Sequence, residues 1–177
     1  MDKKRKEEIL EIVKKVGSEE YIVSRNAEGA PITLKKKSKV SQGKKSRQAG
    51  AQFELRVRKD LEEKGWVVDK WSNNFDLEKN KIIPAKRKFN PFKKVMTIGT
   101  GFPDFVATKF LGDKVYSIIG VEVKMNGLLS KIEKEKCKAF LDKKVFSEIL
   151  VASKEKDGRK ILIKYKDVKE RYKNLFK

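Results

Sequence analysis

Three observations predict an α/β fold with a mixed central β-sheet flanked by helices. Apolar residues recur at helical spacing in some stretches and alternate or run together at strand length in others. From residue 46 onward the two kinds follow one another as helix, strand, hairpin, helix, strand. A helix at 128–143 separates two strands that can lie parallel only if a crossover joins them, and right-handed crossovers supply that connection. The chain has 177 residues, which at about 100 to 200 residues per domain argues for one domain with a short appendage. The division expected is residues 1–45 as an N-terminal helix, hairpin and basic linker, followed by a main domain at 46–177.

The elements follow in order. Residues 2–16 place Ile9, Leu10, Ile12, Val13 and Val16 at helical spacing, and Gly17 supplies a C-cap. Residues 20–24 and 30–34, joined across Asn26 to Gly29, read as a short hairpin. From Ser46 to Lys64 an amphipathic helix carries Phe53, Val57 and Leu61 on one face, and Gly65 ends it. Trp66 to Trp71 reads as a strand in which both tryptophans pack into the core. Asp104 to Lys109 and Val115 to Lys124 are strand-like around a turn at Leu111-Gly112-Asp113. Leu128 to Lys143 forms a helix, with Ser130 as a candidate N-cap. A strand at 147–153, a turn at Asp157-Gly158, a strand at 160–165 and a final helix from about Asp167 complete the chain.

Composition narrows the chemistry. The chain contains 45 Lys and Arg against 25 Asp and Glu, a net charge of +20. That is far above the magnitude of about 2 to 8 that solubility requires, so a polyanionic partner is expected. With no histidine and a single cysteine, Cys137, Cys/His zinc sites and every mechanism with a histidine base are excluded. Catalysis, if present, runs on carboxylates and lysines. One cysteine admits no internal disulfide and fits a reducing compartment, and no stretch approaches the ~18 apolar residues of a membrane span. A soluble, cytoplasmic protein without a membrane partner is therefore expected.

The charge is also unevenly placed. Residues 1–34 hold seven basic and seven acidic groups, whereas residues 35–47 and residues 79–94 each hold seven basic groups and no acid. Both basic runs read as loops that contact phosphate, with Lys44, Lys45 and Arg47 in the first and Lys86, Arg87 and Lys88 in the second. Phe89 and Phe92 interleave with the second run, where they can stack on bases or anchor the loop to the core. Lys-rich solvated linkers are the plain alternative for both runs, and a thermophilic host also raises Lys and Glu content.

Asp104, Glu122 and Lys124 form the central constellation. The midpoint of positions 104 and 122 is 113, within the expected turn, so an antiparallel hairpin sets the two carboxylates opposite each other. Cross-strand neighbours have Cβ atoms about 4.5 to 5.5 Å apart. Two carboxylates at that separation repel unless a cation lies between them, and hard divalent ions prefer oxygen ligands. Glu122 and Lys124, two apart, project from one face of a strand that is otherwise apolar. Burying such charges unpaired costs several kcal/mol, so a metal or an ion pair is the natural compensation. A surface ion pair is the bland reading of Glu-Val-Lys taken alone. Gly99 and Gly101, around Thr100, either permit close approach of the backbone to metal or DNA or serve as ordinary turn residues.

Pro103-Asp104 followed by Glu122-Val123-Lys124 resembles the PD-(D/E)xK nuclease superfamily, which includes restriction endonucleases and archaeal Holliday-junction resolvases. The resemblance covers about residues 46–165 and implies a restriction-endonuclease-like core in that domain. It implies that Asp104, Glu122 and the Val123 carbonyl bind Mg²⁺, with Mn²⁺ able to substitute. Glu54, in Gln52-Phe53-Glu54-Leu55, matches the helix glutamate of the resolvase-like members and would be a further ligand or water contact. Lys124 would orient or activate the attacking water and stabilise developing charge. Lys131, Glu135 and Lys136 stand where many relatives carry a polar residue near the scissile phosphate.

The expectation is thus a metal-dependent endonuclease that hydrolyses DNA phosphodiesters in repair, recombination or defence, with junction or branched DNA as its most specific substrate. Cutting a two-fold junction symmetrically would require a homodimer. RNA stays open beside DNA, because a phosphate-tracking surface does not encode the sugar. The alternative is a non-catalytic nucleic-acid-binding protein that keeps the nuclease fold.

Overall fold

One mixed five-stranded sheet organises most of the chain in the computed structural model, which describes residues 3–25, 29, 31–90, 95–98 and 101–176. Two units are distinguished, Met1–Ala51 and Gln52–Lys177.

The first unit begins with α1 (Lys3–Gly17), followed by β1 (Tyr21–Arg25) and β2 (Pro31–Lys36). These strands pair antiparallel from Tyr21↔Lys36 to Arg25↔Pro31. Next comes α2 (Lys37–Glu63), whose first turns belong to this unit. The basic run at 35–47 is therefore not a loop. It closes β2 and opens α2, which starts nine residues before the Ser46 expected from the sequence. Lys, Arg and Gln are good helix formers and the run lacks proline, so its composition permits a helix despite the charge density. Gly43 and Gly50 each cost about 1 kcal/mol relative to Ala, which a 27-residue helix tolerates.

In the second unit α2 buries Phe53, Val57 and Leu61, spaced by four so that they stack along one face. Its end is a Schellman motif. Gly65, at φ +80, donates to the Glu62 carbonyl at 2.9 Å, and Trp66 donates to the Leu61 carbonyl at 3.0 Å. Then come β3 (Val67–Lys70), β4 (Asn73–Asp76), β5 (Lys81–Pro84), β6 (Arg87–Asn90) and β7 (Val95–Ile98). The expected basic loop at 79–94 is thus built largely from two antiparallel hairpins, β4 with β5 and β6 with β7. Asp76 starts the first turn by accepting from the Glu78 and Lys79 amides at 3.1 and 3.0 Å. Strands of four residues are too short to display the alternation that marks a strand in sequence.

The rest comprises β8 (Phe105–Gly112), β9 (Val115–Val123), α3 (Lys131–Asp142), β10 (Glu148–Asp157), β11 (Lys160–Asp167), α4 (Val168–Arg171) and a 3₁₀ turn, Lys173–Leu175. The central sheet runs β11-β10-β9-β8-β3, with β9 and β10 parallel and the other neighbours antiparallel. As the α/β reading requires, α3 connects the parallel pair. The β8–β9 turn is Asp113-Lys114, one residue past the expected triplet, with φ of +48 and +63 as a type I′ turn demands. A register shift at Phe110/Gly112 precedes it.

Apolar residues cover both faces of the sheet. Phe105, Ala107, Ile119 and Val121 pack with Phe53, Val57 and Leu61 of α2. On the other side Phe102, Ile149 and Val151 pack with Cys137, Phe140 and Leu141 of α3 and with Phe146. Gly120 belongs to this second face, since a Cβ there would lie 2.9 Å from Pro103 and 3.2 Å from Phe146. Residues at even positions of β9 therefore point toward α3. Among the described residues no helix is long and apolar enough to cross a membrane.

Candidate active site

The β8–β9 ladder sets the site. Its pairs run from Phe110↔Tyr116 to Phe105↔Val121 in one constant register, and one further step along that register brings Asp104 opposite Glu122. Asp104 has left the ladder, and its side chain replaces the missing strand contact. Its Oδ2 accepts from the Val123 amide at 2.9 Å. The backbone before it is tied to the β3–β4 connection. Trp71 donates to the Asp104 carbonyl at 3.2 Å, Gly101 to the Trp71 carbonyl at 3.1 Å, and Phe102 to the Asn73 carbonyl at 2.9 Å. A Cβ on Gly101 would lie 2.2 Å from the Asn73 oxygen and 2.4 Å from that of Trp71. Gly101 thus permits a backbone-to-backbone approach that fixes Asp104. Gly99 and Thr100 lie outside the described residues.

Glu122 is buried, 4 % exposed, and is the buried charged residue among the described residues. Burial, and then the charge of Asp104, push its carboxyl up to about 7, against the opposing pull of Lys124. Asp104 is also raised, first by burial and further by the charge of Glu54, while the Val123 amide, Lys124 and Lys70 act the other way. The charge of Asp104 makes ionisation of Glu122 harder. Such a pair is poised to hold one proton or to accept a cation between its members.

Lys124 follows β9, with its amide donating to the Ala152 carbonyl at 2.9 Å. Its Nζ lies 3.0 Å from Glu122 Oε1 and 2.7 Å from Glu133 Oε1. Burial alone would lower the ammonium's pKa, but the hydrogen bonds and charges of Glu133 and Glu122 outweigh it and hold the pKa above the usual lysine range.

Glu133 is the residue that sequence reasoning missed. Ser130 caps α3 by accepting from the Glu133 amide at 3.3 Å, and Glu133 Oε2 accepts from the Ser130 amide at 2.7 Å. The two make a capping box, and the remaining Glu133 oxygen binds Lys124. Burial would raise the Glu133 pKa, yet Lys124 and Ser130 hold it below the ordinary value. The signal was present as Ser130-Lys131-Ile132-Glu133, whose first and fourth residues match the box.

The other expected residues are placed as follows. Glu54 stands on α2 with its carboxylate 3.5 Å from Lys70 Nζ, within electrostatic reach of Asp104. It does not complete a cluster: among the described residues no three His, Cys, Asp or Glu side chains are grouped to hold a metal. For Val123 the amide is engaged by Asp104. Of the α3 candidates, Lys131 is exposed, Glu135 is half-buried, and Lys136 reaches Asn74 Oδ1 at 2.9 Å and lies 5.8 Å from the Phe102 ring centroid. Lys44, Lys45 and Arg47 are exposed on the opening turns of α2, and Lys86 is exposed before β6. Arg87 and Lys88 are placed by their backbone in β6, and their side chains lie outside the described residues, as does Phe92. Phe89 is 60 % exposed and does not anchor its hairpin to the core.

The Asp104–Glu122 pair offers hard oxygen donors whose mutual repulsion a divalent cation would relieve, so the donor set fits such an ion. Mg²⁺ binds through one or two carboxylates and keeps several waters, so two protein carboxylates suffice. Compared with family models, with curated proteins and with solved structures, the chain matches none.

Proposed function

We propose that the chain is a metal-dependent nuclease that hydrolyses phosphodiester bonds of DNA, with Asp104 and Glu122 holding the cation and Lys124 serving the reacting phosphate. The observation that carries this reading is the meeting of a buried carboxylate, Glu122, and a half-buried one, Asp104, both resisting ionisation, beside an ammonium held between two glutamates. The likeness of Pro103-Asp104 and Glu122-Val123-Lys124 to the PD-(D/E)xK pattern supports it, and a restriction-endonuclease-like core belongs to the same proposal. A divalent cation, when bound there, supplies Lewis-acid polarisation of a phosphoryl oxygen and a water of lowered pKa. The chain's own residues do the rest. Lys124 stays protonated at neutral pH, so its role is to donate a hydrogen bond to a phosphate oxygen and stabilise developing charge, not to act as a base. Glu133 holds the ammonium in place from α3, and Glu54 with Lys70 sets the field around Asp104. The +20 net charge supplies the attraction for a polyanion.

A binding protein that keeps this fold without cutting is the second reading. Two observations favour it: Lys124 is already satisfied by two glutamates, and no third acidic side chain among the described residues joins Asp104 and Glu122 to hold a metal.

The test is a Mg²⁺- or Mn²⁺-dependent cleavage assay on duplex, single-stranded, flap and four-way-junction DNA, with Lys124→Ala alongside. The expected result is metal-dependent cutting that falls by at least about 100-fold in the variant, the scale of removing one preorganised donor, while DNA binding is kept. Binding without cutting on every substrate would favour the second reading.

A further inference from the structure

Residues 1–51 carry a pocket of about 870 Å³ that the site above does not use. Tyr21 of β1 and Leu34 of β2, both half-buried, and the partly exposed Val40 of α2 give it an apolar floor. Lys35, Lys36, Lys39 and Arg47 add four cations to its lining. The helical members follow the α-helical repeat, with Lys39 and Val40 leading to Gly43 and then Arg47, so one face of α2 turns to the pocket. Lys36 pairs with Tyr21 in the hairpin, which sets its Nζ 5.8 Å from the Tyr21 ring centroid. Gly43 contributes no side chain, and a Cβ there would meet nothing within 4 Å. Among the described residues none of the four cations has an acidic partner at ion-pair distance.

A ligand that satisfies this pocket is flat and apolar in one part and anionic in another. Duplex DNA presents phosphates but stacks its base faces out of reach, and an acidic peptide presents charge without a flat apolar body. An unpaired strand offers both, its bases stacking on aromatic side chains while lysine and arginine track the backbone. We infer that this pocket binds an unpaired segment of a nucleic-acid strand, with a base against Tyr21 and phosphates on Lys35, Lys36, Lys39 and Arg47. The inference rests on the nucleic-acid reading above and names the form of substrate that the N-terminal unit selects.

The experiment is fluorescence anisotropy with the full chain in chelator, so that nothing is cut. The probes are a short labelled oligothymidylate, an abasic strand of the same length, and a duplex. Wild type should bind the thymidylate about fivefold to a hundredfold tighter than the abasic strand, the range for stacking one base. Tyr21→Ala should erase that ratio, and Tyr21→Phe should keep it. Replacing Lys35, Lys36, Lys39 and Arg47 with Gln should lower the log–log salt slope by up to about 3, at about 0.7 per lost single-strand phosphate contact. Equal wild-type affinity for thymidylate and abasic strand would overturn the inference, as would polyglutamate competing as well as unlabelled strand. The abasic comparison needs no mutation and decides the matter even if Tyr21→Ala fails to fold. Absence of any nucleic-acid binding would sink this inference together with the nuclease reading. Metal-dependent cleavage with no preference for bases over abasic sites would sink this inference alone.

Discussion

Two helices with similar apolar spacing end in opposite environments. On α2, Phe53, Val57 and Leu61 are 3 %, 0 % and 2 % exposed, whereas on α1 Ile9, Leu10, Ile12 and Val13 are 43 %, 59 %, 46 % and 60 % exposed. The α2 residues lie against strands that present Phe105, Ala107, Ile119 and Val121. The described part of the N-terminal unit has one two-stranded hairpin, against five strands in the central sheet, and these α1 residues remain exposed beside it. Amphipathic periodicity therefore identifies the face of a helix without saying whether the fold supplies something to cover it. Charge divides the same way. Lys124 is half-buried and bound by two glutamates, while the lysines on the first turns of α2 face solvent.

The sharpest way to break this comparison is to truncate one leucine in each helix. Leu61→Ala should destabilise the protein by about 2 to 5 kcal/mol, because it leaves a cavity between α2 and the sheet. Leu10→Ala should change stability by no more than about 0.5 kcal/mol, the usual range for surface substitutions. Urea unfolding followed by circular dichroism measures both. Equal losses would mean that the α1 face is covered in solution.

A second effect comes from the buried carboxylate. Glu122 has a folded-state pKa raised from 4.5 to about 7, so folding favours its protonated form. The stability this contributes is fully present below about 4.5 and is lost as pH rises through about 7. Without divalent cations, wild type should lose melting temperature relative to Glu122→Gln across that window. Adding Mg²⁺ should recover part of the loss at the upper end, since a cation that binds the ionised pair stabilises the folded state by mass action. A flat difference between the two proteins would mean that Glu122 is ionised throughout and compensated by Lys124.

Legibility in the sequence follows the same physical lines. The register was readable, because Asp104 and Glu122 are equidistant from position 113 and the ladder keeps that symmetry from Phe105↔Val121 to Phe110↔Tyr116. The buried face of α2 and the crossover by α3 were readable from spacing and element order. The start of α2 was not, since a cluster of lysines says nothing about backbone conformation and Lys is a good helix former. Nor were the two hairpins between residues 73 and 98, whose strands are four residues each. At the site, Asp104, Glu122 and Lys124 could be paired by arithmetic because they share two adjacent strands. Glu133 and Lys70 reach it from α3 and β3, and only the tertiary fold determines that approach.

The smallest effect tests whether the α3 cap serves the site as well as the helix. Ser130 and Glu133 satisfy each other's amides, so Ser130→Ala should cost about 1 kcal/mol of stability, as loss of an N-cap ordinarily does. If capping were all that Glu133 did, Glu133→Gln would have a similar small effect and leave the site untouched, because an amide oxygen still accepts from the Ser130 amide. Glu133 also contributes a charge 2.7 Å from the Lys124 ammonium. Glu133→Gln should therefore lower the Lys124 pKa from its raised position, while Ser130→Ala should shift it less, since Lys124 keeps both carboxylates. Titration of the lysine side chain by NMR separates the two variants. The order expected is Glu133→Gln below Ser130→Ala, with wild type highest. The reverse order would mean that Glu133 holds the helix end and that Glu122 alone governs the lysine.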